Sequence, residues 1–103
     1  MELPEYQVVN VTDQLVGGKF GEILIPSLKV DMDVDSLSQI AFAILEREGL
    51  DEGSFYVTES ARKADFSASY SEQHPNAAKE GYLGAIRKGQ FEPSPYVHDE
   101  RFR

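Results

Sequence analysis

The sequence predicts an α+β domain: a small antiparallel sheet of four or five strands with two helices packed on one face. Three observations lead to this class. Short runs rich in β-branched residues alternate with turn residues. Two segments place apolar residues at helical spacing, and 103 residues are enough for one core but not for two. The predicted order of elements is β-β-(β)-α-β-β-α.

The first predicted elements are strands. The run YQVVNVT at 6–12 is rich in β-branched residues, and KFGEILIP at 19–26 follows a spacer that contains Gly17 and Gly18. These two runs predict a hairpin. The stretch LKVDMDV at 28–34 alternates apolar and polar residues, which predicts a third extended segment.

Residues 36–48 predict an amphipathic helix. Apolar residues recur there at i, i+3, i+4, i+7 and i+8, and they are Leu37, Ile40, Ala41, Ile44 and Leu45. Either Asp35 or Ser36 suits the N-cap, because a short polar side chain at that position accepts a hydrogen bond from the first turn. Gly49 suits the left-handed position that ends a helix.

The second half of the chain predicts another hairpin, a second helix and a tail. SFYVT at 54–58 favours a strand and ADFSASY at 64–70 alternates, so ESARK would connect them. HPNAAKEGYLGAIRKG at 74–89 predicts a helix, because its apolar residues share one helical face. The dense charge and two prolines of residues 91–103 predict a tail, which leaves a single α+β domain at 1–90.

Three aspartates match the start of a calcium-binding loop. Asp31, Asp33 and Asp35 would fill its first three ligand positions. Such a loop requires glycine at position 6 and a bidentate glutamate at position 12, and here these positions hold Ser36 and Phe42. The sequence therefore predicts no metal site. A solvent-facing strand edge that leads into a capped helix explains the aspartates better.

The excess negative charge lies in the first part of the chain. The formal net charge is −8; residues 1–60 hold twelve acids against three bases, whereas residues 61–103 hold six acids against seven bases. This argues against direct binding to nucleic acid or to a membrane, since both require clustered Lys and Arg. Two interpretations stay open, a solvated face and a surface for a basic protein partner. The second predicts as partner-binding residues Asp31, Asp33, Asp35, Glu46, Glu48, Asp51 and Glu52.

The sequence predicts no catalytic residues and no cofactor. It has no cysteine, which removes thiol nucleophiles and zinc–thiolate sites. Its two histidines, His74 and His98, lack the spacing of a known metal motif. The glycines of GGKFG at 17–21 match neither the P-loop nor the dinucleotide-binding fingerprint. Together with the lack of a signal sequence and of a long apolar run, the cysteine-free composition predicts a cytoplasmic protein.

Three aromatic residues of the predicted tail form a second candidate for partner binding: Phe91, Tyr96 and Phe102. Such a segment either packs over the sheet and covers an edge strand, or serves as a linear anchor for another protein. The sequence leaves both alternatives open.

The leading functional hypothesis is a non-catalytic protein-interaction domain. It would act as an adaptor or inhibitor that binds a partner with a positive surface, such as a nucleic-acid-binding protein. A second hypothesis is a small-molecule-binding or enzymatic domain, as a homo-oligomer with an interfacial pocket that uses Tyr82 and His74. A third is a structural subunit with a large apolar self-interface.

Overall fold

The computed structural model describes residues 2–98, and a five-stranded mixed β-sheet lies at its centre. In chain order the strands are β1 (Gln7–Asp13), β2 (Lys19–Leu24), β3 (Glu52–Tyr56), β4 (Tyr82–Arg87) and β5 (Gln90–Pro93). The helices are α1 (Val34–Glu48), α2 (Glu59–Phe66), α3 (Ala68–Gln73), α4 (Ala77–Gly81) and α5 (Pro95–His98). Within these residues, no helix has both the length and the apolar character needed to span a lipid bilayer.

Neighbouring strands of the sheet are also consecutive in the chain, so the order across the sheet is β1-β2-β3-β4-β5. Three of the four pairs are antiparallel, whereas β2 and β3 are parallel. A parallel pair requires a connection that crosses over the sheet, and α1 supplies it. The structure confirms the α+β class and a sheet of five strands. The prediction of a purely antiparallel sheet is wrong, because α1 returns the chain to the end of the sheet at which β2 began.

α1 contains the predicted apolar stripe, and local interactions set both of its ends. The N-cap is Asp33, whose carboxylate accepts a hydrogen bond from the Ser36 N–H at 3.0 Å. At the other end Gly49 has a φ of 68°, and its N–H donates to carbonyl oxygens of the last turn. The amphipathic helix is confirmed. It begins at Val34, because Asp33 rather than Asp35 caps it.

The two main helices cover opposite faces of the sheet. Adjacent residues of a strand point to opposite faces. Ile23 of β2 belongs to the apolar core formed with α1, whereas the neighbouring Glu22 forms an ion pair with Arg62 of α2 at 2.9 Å. The sequence predicted both helices on one face, and this prediction is wrong. The arrangement differs because all five residues of β3 are buried, and a strand that is buried on both faces needs a covering element on each.

The main apolar core lies between the sheet and α1. Its members are buried side chains from α1 and from the three central strands or the residues next to them: Ile23, Ile25, Leu37, Ala41, Ile44, Leu45, Phe55, Leu83 and Ile86. Burial of one such large aliphatic or aromatic side chain contributes about 1.5–3 kcal/mol relative to its exposure. This core holds α1 against the sheet.

The segment LKVDMDV at 28–34 is not a strand, although its sequence alternates. Its backbone closes turns instead: the Leu28 N–H donates to the Ile25 carbonyl oxygen at 3.2 Å, and the Met32 N–H donates to the Lys29 carbonyl oxygen at 3.2 Å. Its alternating apolar residues still pack against the core. Residues 28–33 therefore form a loop with one side on the core, and Val34 begins α1.

Residues 64–70, predicted as a strand, belong to α2 and α3. Both helices have a hydroxyl N-cap. The Thr58 hydroxyl accepts from the Ala61 N–H at 3.1 Å, and the Ser67 hydroxyl accepts from the Tyr70 N–H at 3.2 Å. These caps start two short helices where the alternating pattern indicated one strand.

The segment 74–89, predicted as one helix, contains a short helix followed by a strand. Only Ala77–Gly81 is helical, and Tyr82–Arg87 forms β4 between two neighbouring strands. Backbone pairing with β3 and β5 outweighs the helical spacing of its apolar residues, which its glycines already weaken. Gln90–Pro93 then forms β5. The sheet thus extends past the predicted boundary at residue 90 into the predicted tail.

We predict that Gly84→Ala destabilises the fold strongly. Gly84 has a φ of 146°, and a Cβ there would lie 2.6 Å from the carbonyl oxygen of Glu92 on the paired strand. Backbone strain of this kind costs about 1–3 kcal/mol, and the steric overlap adds to it. Urea denaturation should show a loss of about 2 kcal/mol or more in the free energy of unfolding.

Gly89→Ala is the matched control, because Gly89 also has a positive φ, of 74°, but a Cβ there meets no atom within 4 Å. Gly89→Ala should cost only the backbone strain of a non-glycine residue at a positive φ, about 1–2 kcal/mol. Equal losses for the two variants would show that the close approach of β4 and β5 has no energetic consequence.

Candidate functional site

The face of the sheet covered by α2 carries buried polar side chains. The strand registers pair Phe20 with Glu52 and Glu22 with Ser54, so these residues share one face, together with Tyr56 two residues further along β3. Glu22 is 6% exposed, Glu52 is 8% exposed and Tyr56 is fully buried. We call Glu22, Glu52, Ser54 and Tyr56 the polar face. A buried polar group costs free energy unless it is hydrogen-bonded, so each needs a partner.

Glu22 is bonded through both of its carboxylate oxygens. Oε1 accepts from Nη1 of Arg62 at 2.9 Å, and Oε2 accepts from Nδ2 of Asn10 at 2.8 Å. Arg62 also donates to Glu59 on its own helix. The hydrogen bonds with Glu59 and Glu22 raise the pKa of Arg62, and the bond with Arg62 lowers the pKa of Glu59. The guanidinium group therefore joins α2 to β2 as a permanent cation.

Glu52 joins two loops to the start of β3. Its Oε1 accepts from Nε2 of Gln14 in the β1–β2 loop at 2.9 Å, and its Oε2 accepts from the backbone N–H of Lys88 in the β4–β5 turn at 2.8 Å. The hydrogen bond from Gln14, followed by the one from Lys88, lowers the pKa of Glu52. Glu52 was predicted to lie on an exposed partner-binding surface. The structure places it inside the molecule, where it holds the two loops together.

Two tyrosines lie at the other end of the polar face. The Tyr56 hydroxyl donates to Oδ2 of Asp65 in α2 at 2.5 Å. The ring of Tyr82 lies beside that of Tyr56, with 5.7 Å between ring centroids. Burial and the bond to Asp65 raise the pKa of Tyr56, and burial and the charge of Asp65 raise the pKa of Tyr82 to about 12. Both phenols are therefore neutral at physiological pH.

A cavity of about 310 Å³ opens beside Tyr82. It is lined by two carboxylates, two phenol rings, two prolines and two alanines, which come from α2, α4, β4, β5 and α5. We call it the tyrosine cavity and define it by Asp65, Tyr82, Glu92 and Tyr96. His74, which was paired with Tyr82 in the small-molecule hypothesis, is not among its lining residues. The His74 ring stacks on Tyr70 instead, with 4.2 Å between ring centroids.

The predicted acidic residues do not form one continuous surface. Asp31, Asp33 and Asp35 lie at the N-terminal end of α1, whereas Glu46, Glu48 and Asp51 lie at its C-terminal end. A helix of 15 residues is about 22 Å long, so α1 separates the two groups.

Helix stability accounts for two of the three N-terminal aspartates. Asp33 caps α1, and Asp35 lies in its first turn. Negative charges near a helix N-terminus are stabilised by the helix dipole. Asp31 is exposed in the preceding turn. Asp33 and Asp35 therefore have a structural role that requires no partner.

The helix dipole does not stabilise the acids at the other end of α1. We call Glu46, Glu48 and Asp51 the C-terminal acidic cluster; all three are exposed. Glu48 accepts a hydrogen bond from the Tyr6 hydroxyl at 2.6 Å, which raises the pKa of Tyr6, and Asp51 accepts from the Lys19 N–H at 2.8 Å. Glu46 makes no side-chain hydrogen bond or ion pair with any residue that the structure describes. Negative charge is unfavourable at this end of a helix.

The aromatic residues of the predicted tail have separate positions. Phe91 belongs to β5 and packs half-buried against the apolar core, so at this residue the segment covers the sheet edge. Tyr96 lines the tyrosine cavity. Phe102 lies outside the described residues. Phe91 and Tyr96 therefore do not form a single exposed anchor.

Sequence analysis missed the residues that join α2 to the sheet. Glu22 and Arg62 are forty positions apart, and no local spacing indicates that they meet. A weak signal existed in β2, where the strand alternation places Glu22 on the same face as Phe20, a position that favours burial. Asp65 gave no signal, because 64–70 was predicted as a strand.

We predict that Arg62→Met is more destabilising than the loss of one surface ion pair. It leaves Glu22 buried without its cationic partner, which should cost about 2–3 kcal/mol given the partial exposure of Arg62. The double variant Glu22→Gln/Arg62→Met removes both charges and should recover about 1 kcal/mol or more. Urea denaturation measures both losses.

Lys63→Met is the control for Arg62→Met, since Lys63 is the adjacent exposed residue of α2 and pairs with no carboxylate of residues 2–98. It loses only a cation–π contact with the Tyr70 ring, 5.9 Å from the ring centroid, and should cost no more than about 1 kcal/mol. If the effects of Glu22→Gln and Arg62→Met were additive, the ion pair would not couple α2 to the sheet.

We predict that Glu52 makes stability depend on pH below neutrality. The pKa of Glu52 is lower in the folded protein than in the unfolded chain. Its contribution to the free energy of unfolding is therefore complete above the ordinary glutamate pKa of about 4.3, and it is lost as the pH falls through the pKa of the folded state. Glu52→Gln should cost about 1 kcal/mol at pH 7, and this deficit should shrink toward pH 3. Denaturation at a series of pH values, with Glu72→Gln as an exposed control, tests this. A deficit that stayed constant with pH would contradict it.

Neither a metal centre nor a similarity to another protein identifies the site. Within residues 2–98, no three His, Asp or Glu side chains converge to hold a metal ion. Comparison of the chain with protein-family models, with curated proteins and with solved structures yields no match.

Proposed function

We propose that this chain is a non-catalytic interaction domain that binds a protein with a basic surface through the C-terminal acidic cluster. One observation carries the proposal: Glu46 and Glu48 are exposed in the last turn of α1, where the helix dipole is itself negative, and Asp51 is exposed three residues beyond the helix end. The last turn of α1 contains a single base, Arg47.

The cost of the Glu46 and Glu48 charges to the isolated protein is the reason to assign the cluster to a partner. Each negative charge in the last turn of an exposed helix is unfavourable by about 0.3–1 kcal/mol. Solubility alone does not explain the position, since the same charge at the N-terminus of α1 would be stabilising. A positively charged partner would offset the repulsion, and it would also associate faster by electrostatic steering.

The solvent side of α1 adds an apolar contact to this surface. Phe42 is 38% exposed and lies one turn before Glu46 on the same side of the helix. Asp35 and Gln39 continue this exposed row toward the N-terminus. An aromatic residue within a polar rim is typical of a protein interface, where aromatic residues often contribute most of the binding energy. The partner would be a basic protein, with this chain as its adaptor or inhibitor.

We predict that Glu46→Lys stabilises the domain and weakens partner binding. Removing an unfavourable charge from the C-terminal turn should raise the free energy of unfolding by about 0.3–1 kcal/mol. The same change should slow association with a basic partner several-fold at low salt, because rim charges act mainly on association rates. Urea denaturation measures stability. Affinity capture from cells that express the chain, at low and high salt, followed by surface-based kinetics, measures binding.

Glu72→Lys is the charge-matched control, because Glu72 is exposed on α3 and lies outside the cluster. It should leave partner association unchanged. The proposal would be overturned if no basic protein were captured. It would also be overturned if Glu46→Lys and Glu72→Lys changed the association rate equally and salt did not change it.

A ligand-binding role is favoured by a different observation, the tyrosine cavity.

A further inference from the structure

The charged side chains that line the tyrosine cavity are both negative. Asp65 comes from α2 and Glu92 from β5, and no Lys, Arg or His is among the described residues that line it. The rest of the lining is aromatic or apolar. This cavity therefore disfavours anions and presents carboxylates next to rings and small apolar groups.

Both carboxylates retain acceptor capacity. Asp65 accepts a hydrogen bond from the Tyr56 hydroxyl through Oδ2, and its other oxygen makes no hydrogen bond or ion pair within residues 2–98. Glu92 makes no side-chain hydrogen bond or ion pair with these residues either. The bond from Tyr56 also holds the Asp65 carboxylate in one orientation at the cavity wall. The negative charges of Asp65 and Glu92 both act on the Tyr82 hydroxyl, where they add to burial in raising its pKa.

The aromatic lining indicates that the cavity would bind an organic cation rather than a metal ion. The faces of phenol rings attract organic cations such as ammonium and guanidinium groups. A calcium ion would instead require six or more oxygen ligands, and among the described residues this cavity supplies only two carboxylates and two tyrosine side chains. A volume of about 310 Å³ is at the lower limit for small-molecule sites. It suits one charged group with a short aliphatic chain.

We infer that the tyrosine cavity binds an alkylammonium or alkylguanidinium group between the Asp65 and Glu92 carboxylates and against the Tyr82 ring. This site goes beyond the proposed function and does not depend on it. The C-terminal acidic cluster lies before the start of β3 on the α1 side, whereas the cavity lies near the end of β3 on the α2 side. The cation can belong to a free amine or to a Lys or Arg side chain of another protein.

The test is an NMR titration of the full ¹⁵N-labelled chain with n-pentylamine. The matched probes are n-pentanol and pentanoate, which have the same carbon chain but no positive charge. We expect saturable shifts of the amide signals of Asp65, Tyr82 and Glu92 with the amine, and neither of the other probes should reproduce them. A second titration uses a blocked tripeptide with a central lysine, and the same peptide with norleucine in place of lysine is its control. Binding of the lysine peptide alone would show that the cavity accepts a lysine side chain as well as a free amine.

Two variants test the lining residues. Glu92→Gln keeps the shape of an exposed side chain that makes no hydrogen bond or ion pair with the described part of the chain. The variant should therefore fold normally and weaken amine binding about three- to tenfold. Tyr82→Leu removes the ring and should weaken it by a similar factor. Glu72→Gln and Glu46→Lys should leave amine binding unchanged, so that failure of this site and failure of the proposed function can be told apart.

Three outcomes would overturn the inference: no saturable shift with either the amine or the lysine peptide, equal binding of n-pentanol, or amine binding that Glu92→Gln does not weaken. Saturable binding of the amine alone would identify a small-molecule site. Binding of the lysine peptide as well would identify a site for a basic side chain.

Discussion

The burial of β3 on both faces is the constraint on which the rest of the structure depends. All five of its residues are buried, yet only Phe55 belongs to the apolar core, and Glu52, Ser54 and Tyr56 point to the other face. Buried polar groups must be hydrogen-bonded. The loops and α2 therefore have to bring donors and acceptors to β3, and the ion pair of Arg62 with Glu22 of the neighbouring strand belongs to the same arrangement.

The two faces stabilise the domain in different ways. On the α1 side, apolar packing supplies stability without demanding a particular orientation of each group. On the α2 side, charged hydrogen bonds have to overcome the desolvation of Glu22 and Arg62, so they add less to stability than their number indicates. What they specify is position. They fix where α2 lies on the sheet, and therefore where Asp65 stands in the wall of the tyrosine cavity.

The carboxylates of the chain have different roles in the structure. Asp33 caps a helix, and Glu22 and Glu52 are internal hydrogen-bond acceptors, so these carboxylates have their partners within the chain. Glu46 and Glu92 make no side-chain hydrogen bond or ion pair within residues 2–98, and they lie at two separate places, at the end of α1 and beside the tyrosine cavity. Net charge favours association with cations in general. The two places suit different cations. The exposed end of α1 suits a large basic surface, whereas the tyrosine cavity suits a single cationic group.

The sequence by itself determined the elements whose signals are local. The helix α1 was predicted because caps and a 3.6-residue repeat act within one segment, and the β1–β2 hairpin was predicted because its two strands are separated only by a glycine-containing turn. Only the tertiary structure decided that 28–33 is a loop, that 64–70 is helical except at Ser67 and that β4 is a strand. In a short window, neither alternation nor helical spacing of apolar residues distinguishes these states. The sites required still more. Which acids are exposed depends on contacts across about forty residues, such as those of Glu22 with Arg62 and Glu52 with Gln14, and no local pattern records such contacts.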